Sequence, residues 1–307
     1  MPFLLDDIGN RLKAFRLGSG LSAEEIAQRV GISRTALYQI EKGSVNKIET
    51  LDRLSELLGI SVATLLGVGV EYIGSAVSYF ERMRQIEETA EHITVLAGPI
   101  SFLLASDSFE ATLHAVLRES IPDDRPNRRQ ALADVYQIMA ILHARKRTFG
   151  KRRPSVVNII SAVDIERFLQ GGFVGKSTLP QPILRERRLL ASREIEYLAS
   201  VIEREQIGIQ IGVARDILPH AGFQLFRQAD RKVLTISPFR LGEQPNVHVG
   251  MAMITTAPDA IALQERTAQD MWQYAVKGPA AARFLRELIA FHGTQPVAAR
   301  SGRARPK

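Results

Sequence analysis

The chain has 307 residues, 45% of them hydrophobic and 24% charged, with 40 Lys and Arg against 33 Asp and Glu and a net charge of +7. This is the composition of an ordinary globular protein with room for about two domains. The lack of cysteine excludes a disulfide framework, a thiolate metal site and a cysteine nucleophile. No stretch approaches the roughly 20 apolar residues of a membrane span, and the opening MPFLLDDIGNRLK lacks the basic and long apolar regions of a signal peptide. A cytoplasmic protein without membrane contact is expected.

Helical periodicity starts at once, with Ile8, Leu12, Phe15 and Leu17 on one face, and Gly18-Ser19-Gly20 ends it. Ser22 stands where an N-cap belongs, and Glu25 three residues later completes a capping box. The second helix, Ala23 to Val30, turns Ile26, Ala27 and Val30 inward and stops at Gly31. Ser33 caps a third helix, Arg34 to Lys42, which buries Leu37 and Ile40 and closes at Gly43. A fourth carries Leu51, Leu54, Leu57 and Leu58 up to Gly59, and Ser61 caps a short fifth that ends at Leu65-Leu66-Gly67. Small Ala27 permits close helix crossing and Gly31 a tight turn, so the second and third helices read as a helix-turn-helix. With the buried positions removed, Arg34, Thr35, Tyr38, Gln39 and Lys42 remain on the outer face of the third helix. These side-chain types read base edges or hold phosphates. Bulk charge alone points to the other end of the chain. Residues 1–67 hold eight basic and eight acidic side chains, and the positive excess sits at 125–188 and in the last eight residues.

The segment LSAEEIAQRVGISRTALYQIEKGSVNKIETLDRLSELLGISVATLL resembles the lambda-repressor-like, XRE-type helix-turn-helix family along its whole length. The resemblance implies an all-α, five-helix DNA-binding domain over residues 1–67. It implies that Ser33, Arg34, Thr35, Tyr38 and Gln39 face bases, while Lys42, Ser44, Asn46 and Lys47 approach phosphates of a double-stranded operator. It also implies an ion pair between Arg16 and Glu41, and action as a homodimer on two half-sites. Many members have glutamine at the start of the second helix, where it touches the DNA backbone. Here the residue is Ala23, which puts one phosphate contact in doubt.

Beyond this segment, apolar residues from Val70 through Ile73, Val77, Phe80, Met83, Ile86 and Ala90 to Ile93 predict a helix running to about His92. The spacing drifts from a strict heptad, so residues 68–95 read as a packed connector helix rather than a coiled coil. Strands are expected at 92–98, 155–162, 207–214, 221–228, 232–239 and 247–255. Helices are expected near 108–119 and 127–147, along PILRERRLLASREIEYLASVIERE, and at 258–276 and 278–292. Residues 96–293 are thus an α/β or α+β domain with a mostly antiparallel sheet, followed by a basic, disordered tail at 294–307.

GGFVGKST (171–178) falls short of a P-loop because Gln170 stands where the first glycine belongs. The six histidines are scattered, with no His-x-x-x-His pair, so no metal site is expected. No nucleophile elbow or other catalytic signature is present, and neither an enzyme nor a cofactor is expected. The run ARKRTFGKRRP (144–154) reads either as an anion- or phosphate-binding patch or as a solvated loop after a helix end that favours cations. The expected function is a transcription regulator whose C-terminal domain senses a small-molecule effector or mediates oligomerisation. An antitoxin-like regulator, whose C-terminal domain binds a partner protein, is the alternative, and an enzyme fused to a DNA reader ranks third.

Overall fold

Caps and apolar spacing form the first five helices: α1 (Leu5–Gly18), α2 (Ala23–Val30), α3 (Arg34–Glu41), α4 (Ile48–Leu58) and α5 (Val62–Leu66). The computed structural model describes residues 5–44, 47–96, 98–215, 222–242 and 244–293. The tail expected at 294–307 lies outside them. Ser22, Ser33 and Ser61 each accept the backbone N–H three residues on, and Glu25 returns the bond in the capping box of α2. Ile8, Leu12, Ile26, Leu37, Leu54 and Leu65 form a small core between these helices.

The chain then departs from the predicted connector helix. Val70–Ile73 is strand β1, Ala76–Glu87 is α6, and His92–Leu96 is β2. Gly74 and Ser75 break the helical pattern, and Ser75 caps α6 by accepting the Ser78 N–H. Eleven of the 12 residues of α6 are buried, including Glu81, Arg82, Gln85 and Glu87. A helix buried on every side has no polar face to reveal its phase.

After β2 come α7 (Asp107–Glu119), α8 (Arg128–Arg152), β3 (Ser155–Ser161), α9 (Ala162–Gly171) and α10 (Gln181–Glu203). Strands β4 (Ile209–Ala214), β5 (Gly222–Arg227), β6 (Lys232–Ser237) and β7 (Ala252–Thr255) follow, then α11 (Pro258–Tyr274), β8 (Val276–Lys277) and α12 (Gly278–Gly293). Among the described residues the strands form one eight-stranded sheet in the order β1-β7-β6-β5-β2-β3-β4-β8. The β2–β3 and β3–β4 pairs are parallel, and the others are antiparallel. Helix α9 and strand β8 were not expected. Strand β7 is shorter than predicted, beginning at Ala252 rather than at 247.

Parallel strands covered on both faces read as near-continuous apolar runs, and Val156-Val157-Asn158-Ile159-Ile160 does so but for Asn158. Val156 and Ile160 join the large core with residues of α6 to α10 and α12, while Ile159 packs with Ile261, Ala268 and Met271 of α11 on the other face. Phe15 of α1 belongs to that large core, and Leu17, Leu58 and Ile60 pack against it. The helical head is therefore seated on the sheet-containing part rather than strung from it.

Two sequence patterns resolve into packing. Most of the basic run at 144–154 is the last part of α8, which ends at Arg152, and not a loop. Within it Arg145 is buried and donates to both carboxylate oxygens of Glu87 at 2.9 and 2.7 Å, and Lys146 pairs with Glu110 at 2.8 Å. Lys151, Arg152 and Arg153 stay exposed. In GGFVGKST, Gly175 lies against the Val116 carbonyl and donates its N–H to Glu119 at 3.4 Å, so the loop is wedged on α7.

Candidate nucleic-acid interface

The turn between α2 and α3 sets the direction of the third helix. Gly31 ends α2 in the left-handed region, at φ 73°, and its N–H bonds back to Ala27 and Gln28 carbonyls. Arg53 of α4 donates to the Val30 carbonyl at 3.0 Å, tying the C-terminus of α2 to α4. Ala27 is buried beneath the crossing. At the far end of α3, Gly9 of α1 lies so near that a Cβ there would come within 2.4 Å of the Glu41 carbonyl oxygen. A side chain on residue 9 would push α1 away from α3.

Arg16 and Glu41 join as the family resemblance implies, through two hydrogen bonds of 2.5 and 3.1 Å. Both side chains are largely buried, at 12% and 6% exposure. A carboxylate in the last turn of a helix opposes the helix dipole, and the guanidinium of Arg16 offsets that while locking the end of α3 to α1. Sequence reasoning missed both Gly9 and Arg53. A glycine inside a helical pattern was the available signal for the first; nothing in local spacing marked the second.

On α3 itself, Leu37 and Ile40 are buried, whereas Ser33, Arg34, Thr35, Gln39, Lys42, Ser44 and Lys47 are exposed and Tyr38 is half-buried. The fold brings these side chains onto one outer surface around α3 and the start of α4. Asn46 lies outside the described residues. Ser33 uses its oxygen to cap α3 by accepting the Ala36 N–H at 3.0 Å. The Arg34 guanidinium sits 5.4 Å from the Tyr38 ring centroid, donates to the Tyr38 hydroxyl at 3.3 and 3.4 Å, and lies 3.8 Å from Glu24. Such contacts between exposed groups are weak, so Arg34 can exchange them for a stronger acceptor. Helix α4 begins at Lys47 with no side-chain cap. The positive end of its dipole lies there, and Lys42, Ser44 and Lys47 are exposed in the same stretch of chain.

A buried ionic cluster holds the head. Glu71 of β1 accepts from Arg11 of α1 at 2.6 Å and from Arg82 of α6 at 2.9 Å through two nitrogens. Arg82 also donates to Gln85 at 2.8 Å, and Gln85 donates to the Asn10 carbonyl of α1 at 3.0 Å. Asp7 of α1 pairs with Arg231 in the β5–β6 turn. Burial pushes the Glu71 carboxyl up, but the positive charges of Arg82 and Arg11 outweigh it and hold the group below the usual carboxylate range. Among the described residues, no His, Cys, Asp and Glu group is placed to hold a metal ion, and no helix is long and apolar enough to cross a membrane.

Comparison with known proteins bears on the same segment. A family model described as a helix-turn-helix domain matches residues 7–66. The HTH-type transcriptional regulator SinR of Bacillus subtilis (strain 168) is 34% identical over 80 residues, covering 25% of this chain and 72% of that protein. SinR of Bacillus licheniformis matches to the same extent. Among solved structures, TrmBL2, an archaeal chromatin protein described as having a novel mode of DNA binding, is 10% identical with a TM-score of 0.30. That likeness covers 68% of this chain and about half, 52%, of the other, and is too low to carry an argument. With the helix order, the caps and the Arg16–Glu41 lock in place, the chain belongs, through its N-terminal helices, to the XRE-type helix-turn-helix transcriptional regulators and is a DNA-binding regulator.

Proposed function

We propose that α3 enters the major groove of an operator and reads it with Ser33, Arg34, Thr35, Tyr38 and Gln39. Lys42, Ser44, Asn46 and Lys47, with the open N-terminus of α4, hold the flanking phosphates. The observation that carries this reading is the division of α3 between buried Leu37 and Ile40 and an exposed polar, basic face. A surface adapted to protein contact would be depleted of charged side chains at its centre. Arginine suits guanine and glutamine suits adenine, so Arg34 and Gln39 set base preference while the lysines set affinity and its salt dependence.

In the same reading, residues 1–67 are the reading head, 68–95 join it to the remainder, and 96–293 are a regulatory part that senses a small molecule in the cytoplasm. The protein binds as a homodimer to two half-sites about 34 Å apart. The seating of α1 on β1 and α6 favours sensing, because a change in the sheet-containing part can reach the head through buried contacts. Arg34→Ala or Gln39→Ala should weaken binding to the specific site by about 1 to 3 kcal/mol and relax base preference at one position. Footprints of both variants that match the parent in site and strength would remove α3 from the reading role.

A further inference from the structure

A cavity of about 390 Å³ lies between α11 and the sheet, where β2 begins and β5 ends. Its size falls in the range of about 300 to 1,000 Å³ typical of small-molecule sites. Thr94, Val157 and Leu225 form the floor on the sheet, and Ala268, Gln269 and Trp272 form the roof on α11. The Trp272 indole lies against β4 at Gly212, where a Cβ would come within 2.7 Å of the ring. A side chain at 212 would displace it, so the glycine keeps a flat apolar wall at the cavity. The described charged groups around this space are Arg227, Lys232 and Glu265. Lys232 is matched by Glu265 at 2.7 Å. The Arg227 side chain has no hydrogen bond or ion pair among the described residues. His92, opposite Arg227 in the β2–β5 ladder, is pushed toward its neutral form by burial and by the Arg227 charge, so it adds no second positive charge. An aromatic wall beside one unmatched guanidinium suits a flat anion.

We propose that this cavity binds a small aromatic carboxylate, its anionic end held by Arg227 and its ring laid between Trp272 and Leu225. The inference rests on the sensing role given above and supplies its site and ligand class. It also supplies a route. Arg227 ends β5 and Lys232 starts β6, so two residues of the cavity bracket the β5–β6 turn. Within that turn Arg231 donates to Gln228 at 2.7 Å and pairs with Asp7 of α1. Gln228 donates to the Ile86 carbonyl of α6 at 3.1 Å. Helix α1 in turn touches the end of α3 at Gly9. A ligand that draws Arg227 toward the indole thus shifts the turn that holds the helix beneath the reading head.

The test is titration of the full chain with benzoate and 3-phenylpropionate, and with their amides, which keep the shape and remove the charge. Binding is followed by calorimetry and by the fluorescence of Trp272, the one tryptophan in the chain. At least one carboxylate should bind saturably at up to millimolar concentration, with the same midpoint in heat and in fluorescence. Its amide should bind roughly tenfold more weakly or worse, as expected for loss of a charge-assisted hydrogen bond. Arg227→Gln, at an exposed position, should weaken the carboxylate to a similar extent without weakening the amide. Gln269→Glu, also at an exposed position, puts a negative charge on the roof and should do the same. Equal binding of acid and amide would overturn the anionic ligand class, and no binding of either would overturn the proposal. Heat without a change in Trp272 fluorescence, or carboxylate binding that neither substitution alters, would place the ligand elsewhere and overturn the site. DNA affinity measured with and without the bound carboxylate separates this inference from the sensing role. Binding that meets these criteria but leaves DNA affinity unchanged supports the site and overturns that role.

Discussion

Helices α3 and α6 both carry charged and polar side chains, and the fold puts them to opposite uses. Those of α3 project from a small bundle and stay exposed, apart from half-buried Tyr38 and from Glu41, which is locked to Arg16. Those of α6 are enclosed: Glu81, Arg82, Gln85 and Glu87 are all buried, and each is paired with a neighbour in the head, the sheet or α8. Exposed charges keep their hydration and contribute little to folding; on the proposed reading, those of α3 give it up only when DNA replaces it. Enclosed charges contribute little net stability as pairs, yet removing one partner is costly because the other stays buried. The comparison teaches that charge content says little about a DNA reader, whereas the direction of the charges says much.

The strongest way to break that comparison is Glu71→Gln. It leaves Arg11 and Arg82 buried without their shared anion and should cost about 3 to 5 kcal/mol in urea unfolding. A loss within the scatter of surface substitutions would mean that the cluster does not hold the head. The same group predicts a pH response. Because the two arginines keep its folded-state pKa below the ordinary carboxylate value of 4.5, Glu71 contributes stability that is fully present only above that value and is lost as pH falls from there through the lowered pKa. Asp7, also lowered against the effect of its burial by Arg231, acts in the same direction. Acid unfolding monitored by circular dichroism should be steeper for the parent than for Glu71→Gln, and equal slopes would count against the assignment.

A smaller effect, on binding rather than folding, is expected from Arg34→Ala and Gln39→Ala, with stability kept within about 0.5 kcal/mol of the parent as for other exposed positions. The smallest concerns the exposed end of α8. Replacing Lys151, Arg152 and Arg153 by serine should leave the preferred DNA sequence intact and at most reduce the salt dependence of binding. A changed consensus would show that these residues read bases.

The head was legible in the sequence because each of its signals was local. Ser22 with Glu25, Ser33, Gly31 and Ser61 fix helix ends within a few residues, and Leu37 and Ile40 fix the phase of α3. The sheet order was not legible, since the pairing of β1 with β7 joins Val70 to Thr255 across most of the chain. The misreading of 70–92 as one helix has a physical cause. Val70, Ile73, Val77 and Phe80 keep a spacing of three or four, although Ile73 ends a strand and Val77 begins a helix, and the burial of Glu81 and Arg82 hides the helix boundary. The break at Gly74-Ser75 was the one signal available. Arg145 misled in the same way, as a member of a basic run whose partner, Glu87, is 58 residues away.

The most direct test is a selection of genome fragments by the purified full-length protein, run beside the Arg34→Ala/Gln39→Ala double variant. The account predicts that the parent enriches a palindromic site with half-sites about one helical turn apart, and that the double variant loses it or recovers a site degenerate at the positions those residues read. Enrichment of the same site by both proteins, or of no site by the parent, would contradict the assignment of α3 as the reading helix.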